Sequence, residues 1–70
     1  MVPLTLAKIG EENIIRKIGG SPEVRKHLED LGFVVGGSAT VVSSLGGNVI
    51  VRVKESRVAI NDDLARRIMI

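Results

Sequence analysis

The sequence has no cysteine, tryptophan or tyrosine, and its only aromatic residue is Phe33. Without cysteine there is no disulfide framework, no thiolate metal site and no cysteine nucleophile. With one ring in the whole chain there is no stacking platform for unpaired bases. No stretch approaches the roughly 20 apolar residues of a spanning helix. The start, Met1-Val2-Pro3-Leu4-Thr5, lacks a charged segment followed by an apolar run, so no secretory leader is expected. Charge of one sign is scarce as well: ten Lys and Arg stand against eight Asp and Glu, a formal net charge of +2. The basic residues fall in separated pairs, Arg16-Lys17, Arg25-Lys26, Arg52 with Lys54, and Arg66-Arg67. They read as solvated faces, and no nucleic-acid partner is expected.

What remains is a chain of 70 residues, 44% of them hydrophobic. That length allows one domain, spanning 1–70, close to the smallest size that folds on its own core. The core must be built from Val, Ile and Leu, each contributing about 1.5–3 kcal/mol when fully buried and opposed by the entropy of ordering. Weak self-association or a partner would add to so slender a margin.

Leu4-Thr5-Leu6 reads as a short first strand, closed by a turn around Gly10-Glu11-Glu12. Residues 13–18 read as a second strand ended by Gly19-Gly20. The pairs Ile14-Ile15 and Arg16-Lys17 break strict alternation there, as a bulge or a two-sided environment would. Ser21-Pro22 is a helix start: a hydroxyl to cap free N–H groups, then proline at the first helical position. Glu23 places negative charge at the positive end of the helix dipole. Val24, Leu28 and Leu31 form one apolar stripe, and Arg25/Glu29 and Lys26/Asp30 are spaced four apart on the outer surface. Gly32 suits the left-handed position after a helix over residues 22–31, and Phe33 is placed to fold back on Leu28.

Beyond Gly36-Gly37 the pattern changes to period two. Ala39 and Val41 face inward while Thr40 and Val42 face outward; Leu45-Gly46-Gly47-Asn48 is a hairpin turn. The return strand alternates most clearly, with Val49, Val51 and Val53 on one face and Ile50, Arg52 and Lys54 on the other. A turn at Glu55-Ser56 and a strand at Arg57-Val58-Ala59-Ile60 follow. Residues 61–65 read as a capped helical turn, and Arg66-Arg67-Ile68-Met69-Ile70 as the closing strand. The expected fold is therefore mainly β: a small barrel of five to six short strands, one inserted α-helix and a short helical turn, with closure removing strand edges.

Across residues 4–70 the chain resembles the FeoA family of ferrous iron transport accessory proteins. A Leu-rich start and an Ile-rich strand ending in glycine match residues 4–10 and 14–19. The most specific likeness is the basic helix ending in Leu31-Gly32-Phe33-Val34, although Val35-Gly36 stands where the family usually has Pro-Gly. Leu45-Gly46 matches the Leu-Gly of the family's hairpin tip, with Gly47-Asn48 replacing Asp-Pro. Val51-Arg52-Val53, Val58-Ala59-Ile60, and Ala65 with Ile68 fit the later segments. The resemblance implies an SH3-like barrel and a cytoplasmic role beside FeoB, the membrane protein that imports ferrous iron and carries a G-protein domain.

No catalytic or metal-binding constellation accompanies this pattern. His27 stands alone at the edge of the apolar stripe and reads as a half-buried structural residue. A transition-metal site needs several converging ligands, and only Glu23, Glu29 and Asp30 are near in sequence. Adjacent acids in a turn point apart, so Glu11-Glu12 is a solvated turn, and Asp62-Asp63 complements a helix dipole. None of the glycine pairs continues into a phosphate-binding motif. The expectation is a non-enzymatic protein without a cofactor, whose exposed apolar residues contact a partner: Val34 and Val35 in the turn, Leu45 at the hairpin tip, and Ile50 beside Arg52. The alternatives are a metal-responsive regulatory domain, as in the C-terminal part of DtxR-type repressors, and a small nucleic-acid-binding barrel using Arg16, Lys17, Arg52, Lys54 and Arg57.

Overall fold

The computed structural model describes residues 1–70 and contains six strands and two helices. At the N-terminus, Val2 exchanges backbone hydrogen bonds with Ile70 (3.0 and 2.8 Å), and Pro3 bridges to Met69. The chain then winds into a single 3-10 turn, Leu4–Leu6. This corrects the strand expected there: extended pairing ends at Pro3, Leu4 is fully buried, and Leu6 points outward at 69% exposure. A Leu-Thr-Leu triplet carries no strong preference between strand and turn, so burial of Leu4 decides its course.

The segment read as one strand over 13–18 is two. β1 (Glu12–Ile14) pairs antiparallel with β3 (Ser38–Leu45), whereas β2 (Lys17–Ile18) pairs antiparallel with β6 (Ile68–Met69). Ile15 lies at the crossing, buried, exchanging backbone hydrogen bonds with Gly37 and Gly36 (both 2.8 Å). The broken alternation at Ile14-Ile15 thus marks a change of sheet, with Ile14 half-exposed and Ile15 inside.

α1 (Pro22–Asp30) begins and ends as its residues dictate. The Ser21 hydroxyl accepts from the Val24 N–H (3.3 Å), and proline occupies the first turn. At the other end the Gly32 N–H donates to the Glu29 carbonyl and the Phe33 N–H to the Leu28 carbonyl, both 2.9 Å. This is the double hydrogen bond of a Schellman ending, and Gly32 takes φ +110°, a backbone region that side chains disfavour. Phe33 and Leu28 are both completely buried in the core. Lys26 and Asp30 approach to 3.5 Å, whereas Arg25 and Glu29 form no ion pair.

β3, β4 (Asn48–Val53) and β5 (Ser56–Asn61) form an antiparallel meander, giving a four-stranded sheet in the order β1-β3-β4-β5. A bulge between Val41 and Ser43 shifts the β3–β4 register, and the hairpin closes through Gly46 and Gly47 at φ +58° and +80°. The second hairpin turns on Lys54-Glu55, one residue earlier than expected, because Val53 pairs with Ser56. Lys54 there adopts φ +56°. α2 (Asp62–Ala65) is one turn capped by Asn61, whose side-chain oxygen accepts from the Leu64 N–H at 2.8 Å. Arg66-Arg67 lie in the turn that follows, so the closing strand is shorter than its hydrophobic pattern suggests. The barrel closes through two sheets, not one continuous ladder, and β1 and β5 remain edges of the larger one.

Thirteen residues are buried and all are hydrophobic. Val49, Val51 and Val53 of β4, Ala39 and Val41 of β3, and Ile60 of β5 line the inner face of the sheet; Leu4, Ile15, Ile18, Leu28, Phe33, Ala65 and Ile68 complete the interior. No buried side-chain polar atom lacks a partner. The core is dry and aliphatic around one ring.

Candidate partner-binding surface

The five residues singled out for partner contact are all exposed, but they belong to two surfaces. Val34 and Val35 follow the Schellman ending in a tight turn, closed by the Gly37 N–H donating to the Val34 carbonyl (3.0 Å). Gly36 sits third in that turn at φ +90°, the position that demands glycine in a type II turn. Its N–H is held by the Ile15 carbonyl, so the turn is pinned to the strand crossing. With both ends fixed, the two valines project from the body, and Val35 is 63% exposed.

Leu45 occupies the tip of the β3–β4 hairpin at 83% exposure, the highest of any large hydrophobic residue here. The Asp62 N–H donates to the Gly47 carbonyl (3.0 Å), anchoring the tip to α2. Ile50 stands on the outer face of β4 between Ser43 and Ala59, and Arg52 between Thr40 and Arg57. Two arginines directly opposite across the β4–β5 pair repel, so this row is open to a negatively charged neighbour.

Five further large apolar residues are exposed, Met1 and Val2 at the N-terminus and Leu6, Ile9 and Ile14, and sequence reasoning missed them. Ile9 borders a small cleft of about 170 Å³ with Leu4, Ala7, Val41 and Val49, beside Ser44 near the hairpin tip. Leu6 was hidden by its false assignment to a strand face. Ile9 carried no periodic signal at all.

Sequence reasoning also missed an open groove of about 650 Å³ between α1 and the β1–β2 crossing. Pro22, Arg25, Lys26 and Glu29 line one wall, spaced i, i+3, i+4 and i+7 along the helix. Arg16 and Lys17 line the facing wall, and Val34 and Val35 close one side. The outer helical face that carries Arg25, Lys26 and Glu29 was legible in the sequence. Its convergence with Arg16-Lys17 was not, because the crossing depends on the change of sheet.

His27 is exposed, which corrects its reading as half-buried: it lies off the stripe whose Leu28 enters the core. No three His, Cys, Asp or Glu side chains gather into a metal-holding group. Asp63 instead pairs with Arg66 at 3.0 Å on the surface. No helix is long and apolar enough to cross a membrane.

The family model described as "FeoA domain" matches residues 2–70. A protein of Methanocaldococcus jannaschii named "Putative Fe(2+) transport protein A" is 37% identical over 70 residues, covering 100% of this chain and 85% of that protein. Among solved structures, an iron uptake regulatory protein (FeoA) superposes with a TM-score of 0.86 at 33% identity, covering 96% of this chain and 89% of the other. Stenotrophomonas maltophilia FeoA complexed with zinc, described as a procaryotic SH3 domain protein, gives 0.84 at 20% identity, with 99% and 88% coverage. A manganese-dependent transcriptional repressor gives 0.85 at 16% identity, covering 94% of this chain but 38% of the repressor. At such identities the last two comparisons establish the SH3-like fold alone.

Proposed function

The chain belongs to the FeoA domain family of ferrous iron transport, and on that premise we propose that it is a cytoplasmic accessory protein of ferrous iron uptake, docking on a FeoB-type membrane transporter. The observation that carries this reading is the family match across residues 2–70. The geometry adds an exposed apolar hairpin tip and a rigid, exposed Val34-Val35 turn on a domain of aliphatic core. Large apolar side chains held out by fixed turns are what a protein–protein contact buries. The role is non-enzymatic: docking regulates a partner's transport, and the residues placed for it are Val34, Val35, Leu45, Ile50 and Arg52.

The test is an amide NMR titration of this protein with the soluble portion of the transporter. Shifts are expected at Leu45, Ile50 and the residue 34–37 turn. Unchanged spectra at saturating partner would overturn the assignment for that portion.

A second reading, a metal-responsive regulatory domain, is favoured by the shared fold with a manganese-dependent repressor. It requires Fe(II), Mn(II) or Zn(II) to shift His27 and neighbouring carboxylates. The exposed, isolated placement of His27 gives it less support than docking.

A further inference from the structure

We propose that the groove between α1 and the β1–β2 crossing binds an acidic segment of a partner protein, in which carboxylates flank an aliphatic side chain. The groove is a charge concentration that the scattered basic pairs conceal. Arg16, Lys17, Arg25 and Lys26 all line it, with Glu29 as the one acid. Four cations against one carboxylate leave three net positive charges, more than the +2 of the entire chain. Arg16, Lys17 and Arg25 form no ion pair. Lys26 reaches Asp30 at 3.5 Å, but both side chains are largely exposed, and a surface pair of that kind is readily exchanged for another.

The walls then select among anionic partners. Val34 and Val35 border the charge and offer aliphatic contact, which a carboxylate-rich peptide with a Val, Ile or Leu side chain would cover. A nucleic acid is less well matched. The only aromatic ring, Phe33, is buried and out of reach of a base. The groove's cations lie on both α1 and the β1–β2 crossing, so they can engage carboxylates spaced along an extended chain. Clustered charge of this sort accelerates encounter and rejects like-charged partners.

The groove shares Val34 and Val35 with the proposed docking surface, but this inference rests on the groove's own charge and holds whichever protein supplies the acidic segment. The experiment uses the full chain, labelled for amide NMR, and an end-blocked peptide, Gly-Glu-Glu-Val-Glu-Val-Glu-Gly, carrying no transporter sequence. Amides of Arg16, Lys17, Arg25, Lys26, Val34 and Val35 are expected to shift, with affinity falling at least about tenfold between roughly 0.02 and 0.3 M salt as screening shortens. The double variant Arg25→Gln, Lys26→Gln should keep its spectral dispersion, since both residues are exposed, and weaken binding by about tenfold, or about 1.4 kcal/mol. The same peptide with Gln for Glu should bind at least as weakly as the variant does. Unmoved groove amides at about 2 mM peptide, a concentration that detects even millimolar affinity, would overturn the proposal. So would equal binding of the Gln peptide. Tighter binding of a single-stranded oligonucleotide or an anionic phospholipid vesicle to the same amides would replace the peptide with that class.

Discussion

Phe33→Ala is the most informative single change to the scaffold. Phe33 is the only ring in the chain and is completely buried, with its backbone N–H fixed to Leu28 at 2.9 Å. A Phe side chain buries about 150–250 Å², which at about 25 cal/mol per Å² gives roughly 4–6 kcal/mol as an upper bound. Truncation leaves a cavity that an aliphatic core only partly refills, and measured losses for such changes run about 3–5 kcal/mol. For 70 residues, total stability is about 3.5–10 kcal/mol. The variant should therefore lose at least about 30% of its stability. Far-UV circular dichroism in urea is the suitable assay, because the chain has no Trp or Tyr for fluorescence. With a slope near 1 kcal/mol per molar, the midpoint should fall by about 3–5 M, leaving part of the population unfolded in water. Phe33→Leu, which keeps much of the volume, should fold and lose about 1–1.5 kcal/mol, securing a readable midpoint. A loss below about 1.5 kcal/mol for Phe33→Ala would refute the packing role inferred from the complete burial of this ring.

Three further outcomes are expected. Leu45→Asp should change stability by less than about 0.5 kcal/mol, since the side chain is 83% exposed, yet weaken docking on the transporter's soluble portion; unaltered docking would remove Leu45 from the contact. Asn61→Ala removes the acceptor held 2.8 Å from the Leu64 N–H and should cost about 1 kcal/mol in denaturant unfolding; no loss would show that solvent satisfies that donor equally well. Lys54→Gly should raise stability by about 0.5–1 kcal/mol, because relief of a left-handed backbone outweighs the added entropy of the unfolded glycine. A decrease on that change would mean that the φ of +56° is not strained in this turn.

The local devices were legible because each is complete within a few residues. Ser21-Pro22 starts α1, Gly32-Phe33 ends it, Asn61 caps α2, and the alternation over β4 puts Val49, Val51 and Val53 inside. Two of the failures share one cause. Leu4–Leu6 winds into a 3-10 turn because Leu4 must reach a core assembled by distant strands. Residues 13–18 divide between two sheets because β3 claims one half and β6 the other. His27 is a separate, local case: at the edge of the stripe formed by Val24, Leu28 and Leu31, it faces solvent beside buried Leu28.

The candidate surface divides along the same line. That Val34, Val35, Leu45, Ile50 and Arg52 would be exposed could be read from turns and strand alternation, which fix a side chain's face locally. Which of them share a surface could not. Val34 and Val35 join a basic groove, whereas Leu45, Ile50 and Arg52 occupy the hairpin and the outer sheet.

By itself, then, the sequence determined the helix and its two ends, the valine face of the central strand, and the exposure of Val34, Val35, Leu45, Ile50 and Arg52. Those follow from capping, backbone preference and period, which act over a few residues. The tertiary structure alone decided which strands pair, where the chain changes sheet, and that Arg16-Lys17 faces Arg25-Lys26 across one groove. Convergence of that kind depends on long-range packing, and no spacing along the chain encodes it.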